Sequence, residues 1–165
     1  MINSQEIYQK LISLLDQHQV EYKLFEHREA LNYEDLAAVQ KEAAFFGTEM
    51  KCMVLKADEK LLVYVTLQGK RVNFAAIKLK LEVKKVRLVN PDELQTHFGA
   101  QPGCAYPFAF DAEYPIYLDP EIFKQEWLLF SPVLPTRTVQ ARGADLRKVF
   151  AVLENEVHEV IDWNE

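Results

Sequence analysis

Cysteine, glycine and long apolar runs are all scarce in this chain of 165 residues. Two cysteines, Cys52 and Cys104, are too few for a disulfide framework, so a reducing compartment and a cytoplasmic location are expected. No apolar run approaches the ~18 residues of a membrane helix. The opening Met1-Ile2-Asn3-Ser4-Gln5-Glu6 has neither the basic start nor the apolar stretch of a secretory signal, so a soluble protein without membrane contact is expected. The formal net charge of −6 offers no positive excess for broad adhesion to phosphates, and any contact with RNA has to be local. His18, His27, His97 and His158 are scattered, and the cysteines form no C-x-x-C pair, so no metal site is expected. A Gly-x-Ser-x-Gly elbow, a P-loop and a dinucleotide fingerprint are all missing, which removes serine-esterase, NTPase and Rossmann readings and leaves no cofactor to expect.

What is present is ordinary globular material, 49% hydrophobic and 27% charged, of a length that suits one domain. Capping residues precede several segments of helical periodicity: Asn3 or Ser4 before Ile7, Leu11, Leu14 and Leu15; Asn32 before a helix expected to run toward Phe45 and stop at Gly47; Asn73 before one through Lys80; Asn90 before Pro91-Asp92-Glu93. Strands are expected at Tyr22–Phe25, Lys51–Lys56, Leu61–Leu67, Val83–Leu88, Ile116–Leu118, Trp127–Phe130 and Thr136–Gln140, with a last helix over Ala144–Leu153. Strands interleave with short helices, so the fold class is α/β: a single domain over residues 1–165 with a mixed β-sheet or partly closed barrel surrounded by short helices. Its core spans about residues 20–153, and the N-terminal helix and the acidic tail from Glu154 are additions.

Two stretches carry chemistry. Lys51 stands at the mouth of the apolar run Cys52-Met53-Val54-Leu55, and Gly99-Ala100-Gln101-Pro102-Gly103 makes a bend rich in backbone donors. A cation and a peptide bend facing each other could hold a polarised carbonyl, which suits acyl-group chemistry. The plain alternatives are a solvated strand-end lysine and a helix C-cap followed by a Pro-Gly turn.

Taken in order, these landmarks resemble the YbaK/EbsC family, the aminoacyl-tRNA deacylase domain that occurs free-standing and inserted in prolyl-tRNA synthetases. The resemblance runs from Tyr22-Lys23-Leu24-Phe25-Glu26-His27 through Lys51, Gly69-Lys70-Arg71-Val72-Asn73, Asn90-Pro91-Asp92-Glu93, the full G-x-x-P-G loop at Gly99–Gly103, and Ile116-Tyr117-Leu118-Asp119 to Asp145-Leu146. It implies a trans-editing hydrolase that removes a small, wrongly attached amino acid from the 3′ end of a transfer RNA. The need for such an enzyme is physical, since a binding pocket discriminates one methylene by only ~1–3 kcal/mol.

By the same resemblance Lys51 and Gly103 are the catalytic positions, with Gly99, Pro102, Gly103, His27, Phe46, Asp119, Ser131 and Thr136 around the substrate. The attacking group is a water or a group of the substrate itself, and the partners are the aminoacyl-tRNA 3′ end and an aminoacyl-tRNA synthetase. Where the prolyl-synthetase insertion reads val-his-pro, this chain has Phe130-Ser131-Pro132 and then Pro135-Thr136, which puts alanine specificity in doubt. The alternative is a family member without turnover that serves as a tRNA- or synthetase-binding module. Asp119 has a plainer reading as a helix cap before Pro120, and Phe45 and Phe46 one as core.

Overall fold

Four asparagines set the starts of four helices in the computed structural model, which describes residues 2–165. Their side chains accept backbone N–H groups: Asn3 from Gln5 ahead of α1 (Ser4–Gln17), Asn32 from Asp35 ahead of α2 (Tyr33–Ala43), Asn73 from Ala76 ahead of α3 (Phe74–Leu81), and Asn90 from Glu93 ahead of α4 (Pro91–Phe98). At α4 the Glu93 carboxylate also accepts the Asn90 N–H, completing a capping box. A fifth helix, α5 (Gly143–Phe150), packs on the 3-10 turn Pro120–Lys124. The second helix ends earlier than its pattern suggests. Ala44 turns left-handed at φ 56°, which frees Phe45 to stack on Phe25 with ring centres 4.5 Å apart.

The strands are β1 (Tyr22–Glu26), β2 (Thr48–Ala57), β3 (Lys60–Leu67), β4 (Val86–Leu88), β5 (Ile116–Leu118), β6 (Leu128–Phe130), β7 (Arg137–Ala141) and β8 (Val157–Glu159). They build one mixed sheet in the order β1-β7-β6-β2-β3-β5-β8, with β4 attached to β2. Of the two expected forms, a mixed sheet or a partly closed barrel, the structure is the open sheet, ending on β1 and β8. The tail beyond Glu154 joins it: β8 pairs in parallel with β5, and Trp163 is fully buried, stacked on Tyr117 and edge-on to Tyr64.

Side-chain alternation divides β2 between two faces. Met50 and Val54 enter the main core with Val63, Val65, Phe130 and the buried side of α1 at Ile7, Leu11 and Leu15. On the other face Met53 and Leu55 pack with Tyr64, Ile77 and Trp163, while Leu129 of β6 packs with Val39 of α2. Lys51, opposite Thr66 in the β2–β3 ladder, lies between those two outer patches.

One interruption positions everything that follows. Along the edge away from β3, β2 pairs with β6 only at Thr48 and Glu49 and with β4 only from Leu55 to Ala57. The edge between them, Met50 to Val54, has no neighbouring strand.

Candidate active site

A cavity of about 290 Å³ occupies this gap. Met50, Cys52 and Val54 line it from β2, Tyr33 and Leu36 from α2, Val89 and Pro91 from the β4–α4 join, Pro102 and Gly103 from the turn after α4, and Phe130 and Ser131 from the end of β6. The Val89 N–H donates to the Val54 carbonyl at 3.0 Å, so the peptide groups of even-numbered β2 residues point away from β3. The N–H and C=O of Cys52 therefore face the gap, where no strand takes them up.

The turn residue Gly103 has φ +84°, and a Cβ there would collide with the carbonyl oxygen of Leu31, so only glycine fits. Among the described residues its N–H makes no hydrogen bond, whereas the next amide, Cys104, donates to the Gln101 carbonyl at 2.9 Å. The hydroxyl oxygen of Ser131 is likewise buried without a partner. His27, just past β1, is fixed at both nitrogens: Nδ1 donates to the Arg28 carbonyl at 2.6 Å, which leaves Nε2 to accept from the Thr138 hydroxyl at 2.7 Å.

The sequence profile of the aminoacyl-tRNA editing domain matches residues 27–149, most of the chain and all of the cavity. The chain belongs to this editing-domain family. Among solved structures the editing domain is similar to hypothetical protein APE2540 (TM-score 0.75, 15% identity, 94% of this chain and 99% of that one). It is similar also to a protein described as a "putative trans-editing enzyme for prolyl tRNA synthetase" (TM-score 0.69, 14% identity, 94% and 97% covered). At such identities the likeness is one of fold. No curated protein sequence matches the chain.

Of the residues singled out in this editing domain, His27, Pro102, Gly103 and Ser131 meet in the cavity, and five others do not line it. Lys51 leaves β2 on the same face as the lining residues Glu49 and Met53, but its Nζ reaches the Lys70 carbonyl at 3.2 Å, on the β3 side. The expected pair of ammonium and glycine bend facing each other across one crevice is thus not formed. Gly99 is a helix C-cap at φ +65°, its N–H on the Gln95 carbonyl, beside Ile2 and Ile7. Phe46 is 65% exposed, and Phe45 belongs to the α2 patch. Thr136 gives its carbonyl to the His27 N–H, and Thr138, two residues on, is the threonine in the lining.

Asp119 caps the 3-10 turn through the Glu121 N–H and accepts from Thr66, Lys70 and Asn164 on its second oxygen. Burial opposes its ionisation, yet the bonds from Lys70, Thr66 and the Glu121 N–H hold its carboxyl below the ordinary carboxylate range.

The residue that sequence reasoning passed over is Glu49. It is 7% exposed, lines the cavity from β2, and takes one hydrogen bond, from Gln40 Nε2 to Oε1 at 2.9 Å. Burial pushes its carboxyl up to about 7, against the pull of Gln40. The available signal was a carboxylate just ahead of the apolar run Cys52-Met53-Val54-Leu55, two residues before Lys51. Because the folded state raises this group above its ordinary range, the native protein holds an extra proton between about pH 4.5 and 7, and stability falls as pH rises through that interval. Glu49→Gln removes the effect: at pH 8.5 the variant is expected to be more stable by about 3 kcal/mol, at about 1.4 kcal/mol per pH unit, and at pH 4 the two should coincide. Urea unfolding at the two pH values measures it.

Proposed function

We propose that this editing domain hydrolyses the ester joining a small, wrongly attached amino acid to the 3′ end of a transfer RNA. Water adds to the acyl carbon, the bond from that carbon to the ribose oxygen breaks, and the proton passes to the ribose hydroxyl. The observation that carries the reading is the convergence of an unclaimed Gly103 N–H and the open peptide edge of Cys52, with Ser131 beside them, around one small cavity in a chain of the editing family. Donors fixed in place before the reaction stabilise the charge that develops on the carbonyl oxygen. The enzyme supplies position and electrostatics, with no covalent intermediate. Neither cysteine suits a nucleophilic role: burial raises Cys52 far above its ordinary range and Cys104 up to about 11.

Lys51 joins this scheme by moving. Its stem starts between two lining residues, and the bond to the Lys70 carbonyl, a single contact of 3.2 Å, is worth about 1 kcal/mol. We assign it the step from Lys70 to the ester or the terminal phosphate when substrate enters. The resting position of Lys51 favours a second reading, a tRNA- or synthetase-binding module without turnover. Incubating excess protein with a panel of mischarged transfer RNAs separates the two: release of any amino acid establishes the hydrolase, and release of none leaves the binding module.

The body of the transfer RNA has a natural path. On the other side of β4 a cleft is lined by Lys78, Lys84, Lys85, Arg87 and the ring of Phe74. Arg87 is neutralised by Glu93, whereas Lys78, Lys84 and Lys85 have no ion-pair partner among the described residues. Asp58 fixes the lysine pair by accepting both the Lys84 and Lys85 N–H at 3.0 Å. This is a local positive surface on an acidic protein, suited to phosphates next to the aminoacyl end. Reversing both charges, Lys84→Glu with Lys85→Glu, should weaken transfer RNA binding about tenfold or more at low salt and flatten its salt dependence. Hydrolysis of an aminoacyl-adenosine, which lacks those phosphates, should be unchanged.

A further inference from the structure

An editing pocket has to hold more than an ester. Every aminoacyl ester carries an α-amino group, cationic when protonated, beside the carbonyl, and a cavity of this size has to place it somewhere. Apolar side chains make up most of this cavity, and the neutral acceptors among them, such as the Cys52 carbonyl, carry no charge to balance a cation.

Glu49 supplies the one carboxyl group in the lining among the described residues. Glu49 is more than nine-tenths buried, and Gln40 engages only its Oε1, so Oε2 has no hydrogen bond among the described residues. Among the described residues no basic side chain pairs with it. The groups facing it are Tyr33 and Gln40 from α2 and Cys52 from β2, with His27 and Arg137 elsewhere in the lining. Arg137 is turned to Glu26 at 3.5 Å, and His27 is occupied at both nitrogens. A buried carboxylate without a cation is costly and is held in this fold only against that cost.

We propose that Glu49 is the receptor for the α-ammonium of the aminoacyl group, and so sets which end of the substrate enters the cavity first. The inference rests on the reading of the cavity as the aminoacyl site. An ammonium on Oε2 would give the carboxylate the ionic partner that no described side chain supplies. An ester without the amine, or with it acylated, leaves the carboxylate buried and unpaired, so selection against such esters follows from the same contact. Glu49 acts here on binding and orientation and takes no proton from the reacting atoms.

Linkage gives the contact a pH signature. Only the ionised carboxylate attracts the ammonium, and burial raises Glu49 to about 7, so affinity should fall as pH drops below that value.

The test uses two non-hydrolysable probes titrated into the whole protein by calorimetry: 3′-alanylamino-3′-deoxyadenosine and its propionyl twin, which lacks only the amine. The wild type is expected to bind the alanyl probe at least tenfold more tightly at pH 7.5, and to lose that advantage by pH 5.5. Glu49→Gln, which keeps the shape and the oxygen that Gln40 bonds, should bind both probes alike at either pH. Glu49→Asp, with the charge withdrawn by one methylene, should recover part of the preference. Equal binding of both probes by the wild type overturns the inference and leaves the editing function standing. A preference or pH dependence that persists in Glu49→Gln overturns it too. If the wild type binds neither probe, the aminoacyl reading of the cavity falls, and this inference with it.

Discussion

Replacing Gly103 with alanine should disable the protein more thoroughly than any other single methyl group. The new Cβ would drive into the Leu31 carbonyl, and φ +84° is a conformation that a side chain adopts at a cost of about 1–2 kcal/mol before any clash is counted. Neither Leu31, just ahead of α2, nor the turn after α4 can yield without moving the cavity wall. We expect a stability loss of about 3 kcal/mol and a fall in deacylation of at least ~100-fold, the scale of losing one oxyanion donor. Gly69→Ala is the matched control: its φ is +92°, yet nothing lies within 4 Å of the added carbon, so only backbone strain should register. Thermal melts and single-turnover hydrolysis of both variants give the comparison. A Gly103→Ala protein as active and as stable as the Gly69→Ala one would mean that the turn does not pack against Leu31 as described.

Lys51→Ala should lose turnover too, but with the fold left intact. The lost bond to the Lys70 carbonyl and the shortened stem should cost about 1 kcal/mol, whereas, on the role proposed for Lys51, loss of the cation should slow hydrolysis by ~100-fold or more. Arginine would not substitute, because a planar fork does not deliver charge as a compact ammonium does. Turnover that survives in Lys51→Ala would keep the lysine at its resting contact and move the chemistry wholly onto the cavity wall. Urea titration beside the kinetic assay keeps a folding defect from passing as a catalytic one.

Local signals in the sequence were well legible. Asn3, Asn32, Asn73 and Asn90 each cap the helix that their position announced, and Gly99 closes α4. These are short-range bonds between a side chain and the next turn, so nothing distant can override them. The hairpin around Asp58 and Glu59 follows for the same reason, though β2 extends at both ends beyond its apolar run because β6 and β4 offer it partners.

The site was legible only where it depends on backbone shape. Gly103 and Pro102 line the cavity because a turn of that composition can bend in few ways, and His27 and Ser131 arrive at the ends of strands. Lys51 and Asp119 were less readable, since each is directed by partners far along the chain: the Lys70 carbonyl for one, Thr66, Lys70 and Asn164 for the other. Glu49 was hidden for a related reason. A carboxylate in a strand normally points to water, and only the placement of α2 over it, through Gln40, makes it an inner wall.

The order of strands has a kinetic corollary. β1 is joined to the sheet only through β7, and His27 meets Thr138 across 111 residues of sequence. Until those remote segments find each other, His27 has no place in the cavity lining and β1 is an orphaned ribbon, so the closure that completes the cavity comes late and slowly during refolding. Recovered hydrolysis should therefore lag behind recovered helical signal after dilution from denaturant, and the interval between them is when this chain is most exposed to sticking to its own copies.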